Sequence, residues 1–229
     1  MKNFFWLHIK KCGGESFRDT FTPPYVQTDR ILNYKPFIAL PKEEWNDALN
    51  NYRIPLGEYD YRRTLFAQKY LYTPTEFEQM FKFTIVRNPY DRILSAWKYL
   101  YRNQKNSFKL YLLDKKSYRL KNNYQTFLEE LPEFWKYKKD RHIATHTAPI
   151  WPDISDESGH LLFDKIYKLE TIKSSLIDIS KNIGVSITKF SHINKNRNEN
   201  SYRQFYTTRT RKLIEQLFAE DLEKLGYEF

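Results

Sequence analysis

Short apolar runs alternate with amphipathic stretches along the chain, and several runs end at a turn signal that opens a helix. The first, Phe4-Phe5-Trp6-Leu7-His8-Ile9, leads into Lys10-Lys11-Cys12-Gly13-Gly14 and then Glu15-Ser16-Phe17. That order predicts buried strand, glycine turn and helix. The second run, Phe81 to Val86, passes through Arg87 into Asn88-Pro89-Tyr90-Asp91. Asn88 suits an N-cap, Pro89 the first helical position and Asp91 the positive end of the helix dipole. The third, Phe163 to Leu169, precedes a helix expected from about Thr171 to Ile183, with Gly184 as its stop. At the C-terminal end, Leu213, Ile214, Leu217, Phe218, Leu222 and Leu225 share one helical face between Thr208 and Gly226. This last helix is expected to cover the sheet.

Strands alternating with helices predict an α/β fold of three layers, a central mainly parallel sheet flanked by helices. No internal repeat and no strong linker divides the chain, so one domain spanning 1–229 is expected. The stretch from Pro23 to Thr75 is polar, aromatic and rich in proline, and its elements are not legible. The basic, Tyr-rich stretch from Asn103 to Lys139 is expected to be helical near Tyr124 to Leu131.

Composition narrows the function classes. A chain of 229 residues with 41% apolar residues, 17 Phe and 18 Tyr builds a real core and is neither disordered nor low in complexity. The 38 Lys+Arg against 28 Asp+Glu leave a formal charge of +10, which attracts polyanions such as nucleic acid, acidic glycans or phosphorylated cofactors. Cys12 is the only cysteine, so neither an internal disulfide nor a thiolate metal cluster forms, and no metal site is expected. The N-terminal apolar run, Phe4 to Leu7, is far shorter than the ~20 residues of a membrane helix or the roughly 7–15 of a signal-peptide core. No membrane span is expected, and a cytoplasmic protein is, with a trimmed lumenal catalytic domain as the alternative.

Two readings fit the first strand-to-helix junction. Two glycines, two cations and the Ser16 hydroxyl, placed where a strand becomes a helix, make a cradle for phosphate, because the first N–H groups point outward. An ordinary tight turn with two solvated lysines fits the same spacing. A nucleotide kinase loop reads G-x-x-x-x-G-K-[ST], with the lysine after the glycines; here both lysines precede them, and no hydroxyl follows a Gly-Lys pair to hold Mg²⁺. The kinase reading is weakened and kept as an alternative. A nucleic-acid-binding module is the other, since Lys and Arg interleave with Tyr and Phe from Trp97 to Tyr137.

The two junctions together resemble a known family. Leu7 to Ser16 is similar to the 5′-phosphosulfate loop of sulfotransferases, H-I-P-K-T-G-G-T-S, and residues 85–96 resemble their 3′-phosphate motif, V-R-N-P-Y-x-R-x-x-S. Asp164 to Glu170 resembles the strand of that family that ends in an acidic residue, and Phe218 to Tyr227 its C-terminal helix. The likeness is nearest the carbohydrate branch with 2-O- and 4-O-sulfating enzymes. Lys10 stands for the usual Pro, Cys12 for Thr and Glu15 for Thr, so one loop hydroxyl is missing and a carboxylate is added.

The resemblance implies a P-loop-like fold and transfer of a sulfuryl group from 3′-phosphoadenosine 5′-phosphosulfate (PAPS) to an acceptor hydroxyl. 3′-Phosphoadenosine 5′-phosphate (PAP) is the product, and no metal is required. Within it, the loop at 8–17 (Lys10, Lys11, Cys12, Gly13, Gly14, Glu15 and Ser16) binds the 5′ end, and Lys11 stabilises the leaving phosphate. Arg87 and Ser95 bind the 3′-phosphate, the alternative for Arg87 being a salt bridge to Asp91. Arg203, with Arg197, belongs to a loop that closes over the nucleotide. Glu58, in Gly57-Glu58, stands first as general base, with Asp60, His8 and His146 as rivals. His146 lies in a segment that resembles H-x-x-P-Q. The acceptor, lined by 23–75 and 103–152, is expected to be a carbohydrate or another hydroxyl compound rather than nucleic acid.

Overall fold

The computed structural model describes residues 3–18, 37, 40–52, 54–102, 115–137, 141–187 and 202–229, with the backbone alone at 15, 18, 102, 115–118 and 137. In chain order the elements are β1 (Phe4–Leu7), α1 (Gly14–Arg18), α2 (Trp45–Leu49), α3 (Arg63–Phe66), α4 (Pro74–Gln79), β2 (Phe81–Val86), α5 (Pro89–Trp97), α6 (Lys115–Asn122), α7 (Tyr124–Tyr137), α8 (Arg141–Thr147), α9 (Trp151–Ile154), β3 (Lys165–Lys168), α10 (Ile172–Ile183), α11 (Thr208–Leu217) and α12 (Ala219–Leu225). Single π-helical turns extend α3 over Ala67–Leu71 and α5 over Lys98–Arg102. Contacts divide the chain into two compact units, Met1–Arg87 with Ile150–Lys195, and Asn88–Pro149 with Asn196–Phe229. No helix among the described residues is long and apolar enough to cross a membrane.

The first unit holds a three-stranded sheet in the order β1-β2-β3, parallel throughout, with Leu7 opposite Thr84 and Val86 opposite Lys168. Because side chains alternate along a strand, Trp6, Phe83, Ile85 and Tyr167 point to one face, where Phe17 of α1 and Ile172, Ile179 and Ile183 of α10 complete the core. Phe5 points to the other, against Phe77 of α4 at 5.7 Å and Tyr72 at 6.3 Å between ring centroids. The α/β fold with a parallel sheet flanked by helices is therefore as expected. β2 is buried almost end to end, as a central parallel strand should be. Lys82 on it extends its ammonium to the carbonyls of Met80 (2.8 Å) and Phe77 (3.2 Å) and to Asp164 at 3.2 Å. The third strand and its helix fall where the pattern predicts, and Gly184 closes α10 in the left-handed conformation at φ 70°.

The second unit is helical among the described residues. Tyr90, Ile93, Leu94 and Trp97 of α5 pack with Phe127, Leu128 and Leu131 of α7, Ile143 of α8, and Ile214 and Phe218. This corrects the C-terminal expectation. The predicted single helix is two, broken at Phe218, which leaves helical geometry at φ −117° and ψ 24°. Ile214, Leu217, Phe218 and Leu222 of its apolar face pack into this helical core. The start also shifts by one residue: Thr207 is the N-cap, in a reciprocal capping box with Thr210.

Candidate functional site

The edge of β1 and the turn that follows it are fixed by two amides from α2. The Asn46 side chain accepts from the Trp6 N–H (3.2 Å) and donates to the Trp6 carbonyl (3.1 Å), as a neighbouring strand would. Asn50, fully buried, donates to the same carbonyl at 2.8 Å and accepts from the His8 N–H at 2.6 Å. Among the described residues the outer edge of β1 is covered in this way without a further strand, and the chain leaves it in one defined direction.

The loop beyond β1 is tight, with the Cys12 N–H bonded to the Ile9 carbonyl at 3.3 Å and the Phe17 N–H to the Gly13 carbonyl at 3.0 Å. Its glycines serve two different needs. Gly13 sits at φ 79°, where a side chain is strained. Gly14 is required by proximity: a Cβ there would lie 1.9 Å from Cδ2 and Nε2 of His8. The His8 imidazole is buried and stacked on Trp6, ring centroids 5.3 Å apart and planes within 14°, so His8 acts as a wedge beneath the loop. Lys11 is left-handed without being glycine, at φ 67°, a conformation that costs ~1–2 kcal/mol for an L-residue. Cys12 is buried, its Sγ 3.7 Å from the Lys10 carbonyl. Ser16 is buried in α1, and the Glu15 side chain lies outside the described residues. With α1 only five residues long, a helix dipole adds little here, and the groups suited to an anion are the loop amides and cations.

Lys10 takes a direction that the sequence did not suggest. Its ammonium donates to the Asn50 carbonyl at 3.3 Å and lies 5.4 Å from the centroid of the Tyr52 ring. On the neighbouring strand tip, Arg87 is largely buried and its Nη1 donates to the Lys11 carbonyl at 3.2 Å. The two predicted anion-binding segments therefore meet, because β1 and β2 are adjacent parallel strands that end side by side.

A second buried cluster stands beside this loop. Arg63, without exposure to solvent, donates to the carbonyls of Leu49 (2.8 Å) and Ile54 (3.0 Å), sits 4.0 Å from Asp60 and lies against the Tyr52 ring at 4.1 Å. Asp153 accepts from the Arg63 N–H at 2.7 Å and from the Tyr52 hydroxyl at 2.8 Å. Burial raises its pKa even with the Arg63 guanidinium nearby. Asp60 accepts from the Leu56 N–H at 2.9 Å and so closes the turn Gly57–Tyr59 that carries Glu58. Asp60 is thus a structural acceptor, while Glu58 is exposed and makes no hydrogen bond among the described residues.

The remaining predicted residues belong to the second unit. Asn88 caps α5 as expected, accepting from the Tyr90 N–H at 3.0 Å, and Ser95 is half-buried on that helix. His146 is buried on α8; its Nδ1 bonds the His142 carbonyl at 2.7 Å and its ring stacks on Tyr99 at 5.0 Å. A carbonyl only accepts, so Nδ1–H is the donor in this bond. Arg203 is exposed and donates to the Phe229 carbonyl at 2.7 Å. Arg197 lies outside the described residues.

Asn46, Asn50, Tyr52, Arg63 and Asp153 were not singled out from the sequence. One signal was present for the first two: the pair recurs at i, i+4, and so lies on one face of a helix. Their partners on β1 lie about forty positions away, beyond any local pattern.

A parallel sheet with a basic, glycine-bearing loop and a buried arginine at adjacent strand tips offers cations and backbone amides suited to an anionic group. A family model described as the sulfotransferase family matches residues 1–228. The chain belongs to the sulfotransferase family, which gives it sulfotransfer as its general activity. No curated protein and no solved structure matches it.

Proposed function

We propose that this protein transfers a sulfuryl group from PAPS to an acceptor hydroxyl, most naturally one on a carbohydrate, with residues 1–229 working as one domain. The observation that supports this reading best is the meeting of the two motifs: Arg87 touches the Lys11 carbonyl at 3.2 Å, on adjacent strand tips, in a chain whose family match spans nearly its whole length. Two anionic ends of one nucleotide need two cationic grips within the reach of one adenosine.

In this reading Lys11 neutralises the bridging oxygen as the bond from sulfur to phosphate breaks and the bond from sulfur to the acceptor oxygen forms. Amides of Gly13 and Gly14 and the Ser16 hydroxyl hold the 5′ end. Arg87 grips the 3′-phosphate through charge-assisted bonds, with Ser95 assigned to the same phosphate by the motif alone. The acceptor proton passes to a base, for which Glu58 stands first because its carboxylate is exposed and spends no hydrogen bond on the fold. The net charge of +10 favours an acidic or already sulfated glycan.

The test is transfer of radiolabelled sulfate from PAPS across glycans, lipids and small alcohols. Lys11→Ala should lose about 10²–10³-fold in kcat while still binding PAP; equal turnover would remove the assigned role. A pH–rate profile unchanged in Glu58→Gln would remove Glu58 as base.

A further inference from the structure

Lys10 and Lys11 are adjacent in sequence, yet the fold treats them differently. Lys11 is held in a left-handed conformation at φ 67°, and such strain persists only where the surroundings over-determine it. On its C-terminal side the carbonyl of Lys11 is gripped by Arg87. On its N-terminal side Lys10 ties the chain to Asn50 and Tyr52, at 3.3 Å from the carbonyl and 5.4 Å from the ring. Neither partner is loose. Asn50 is fully buried and bonded to β1. Tyr52 is buried with Arg63 against its ring and Asp153 on its hydroxyl.

We propose that Lys10 is a positioning residue: anchored on the Asn50 carbonyl and the Tyr52 ring, it holds Lys11 in its strained conformation and is not itself a ligand of the donor. The proposal rests on the sulfotransferase reading and assigns to Tyr52 and Asn50 the role of anchor. It replaces the expectation that both lysines converge on the phosphosulfate. The added charge in the loop is spent on holding its neighbour, and one residue, Lys11, faces the leaving group.

The two roles separate kinetically. A cation that binds the donor contributes to PAP affinity, whereas an anchor for Lys11 contributes to kcat, since a shift of about 1 Å at a reacting group costs about 10²-fold. Lys10→Met should lower kcat about 10–100-fold and leave the PAP dissociation constant, measured by calorimetry, within about threefold, below the tenfold that 1.4 kcal/mol represents. Lys10→Arg should restore most of the rate. Tyr52→Leu should reproduce the kcat loss, and adding Lys10→Met to it should cost little more, because both changes break one contact. Tyr52→Phe, which keeps the ring, should retain the anchor. PAP affinity that falls tenfold in Lys10→Met with kcat preserved would overturn the proposal, as would fully additive losses in the double variant. Thermal melting of each variant separates loss of anchoring from loss of fold. A wild-type chain that neither binds PAP nor transfers sulfate would remove the sulfotransferase reading, and this inference with it; an active wild type with a donor-affinity defect in Lys10→Met would remove the inference alone.

Discussion

Replacing Gly14 with alanine adds one methyl group at the tightest point of the loop. The new Cβ would lie 1.9 Å from two atoms of the His8 ring and 2.7 Å from a third. Ordinary contact between such atoms is roughly 3.5 Å or more, so the ring or the loop must move by about 1.5 Å. The ring is poorly placed to yield: it is buried, stacked on Trp6, and its backbone N–H is held by Asn50. Overpacking of this kind costs ~1–3 kcal/mol, and a loss of 2 kcal/mol lowers the melting temperature by about 4–8 °C in a chain of this size. The displaced loop carries Lys11, so kcat should fall about 10²-fold as well. Differential scanning calorimetry reads the first effect and sulfate transfer the second. The decisive arm is His8→Ala in the Gly14→Ala background. Removing the imidazole frees the space, so the double variant should melt above the value expected from adding the two single losses. Wild-type melting in Gly14→Ala, or strictly additive losses in the pair, would refute the steric argument.

Three further outcomes are expected. Arg87→Ala should weaken PAP binding about 10–100-fold, the worth of hydrogen bonds to a charged group, read by titration calorimetry; unchanged affinity would detach Arg87 from the donor. Asn50→Asp keeps the acceptor for His8 but sets a carboxylate against the Trp6 carbonyl in a fully buried place, which should cost at least ~1–3 kcal/mol in denaturant unfolding. Glu76 pairs with Lys42 and closes a capping box with Thr73, which hold its carboxyl down at about 2 from 4.5. A depressed carboxylate contributes stability above its unfolded value and loses it as pH falls towards the folded one. Glu76→Gln should therefore flatten the decline in stability between about pH 4.5 and 2; an unaltered acid limb would count against the box.

What the sequence decided by itself was local. Phe81 to Val86 is a strand because its aromatic and β-branched run is broken by only one charge, Lys82, and Asn88 and Pro89 start α5 because one caps and the other lacks an N–H to waste. Gly184 and Gly226 end their helices because each takes a left-handed backbone, at φ 70° and 63°. The two strand-to-helix junctions were legible for the same reason, since a strand, a turn and a helix start lie within a dozen consecutive residues. Tertiary structure alone decided what depends on returns of the chain. Asn46 and Asn50 complete the edge of β1, His8 explains Gly14, and Arg63 and Asp153, ninety positions apart, close around Tyr52. It also set the Lys10 ammonium against the Asn50 carbonyl and packed the C-terminal helices into a helical core. Apolar spacing states that a face will be buried, but not against what. A charged side chain beside a glycine turn states that an anion or a carbonyl will be met, and only the folded neighbours choose between them.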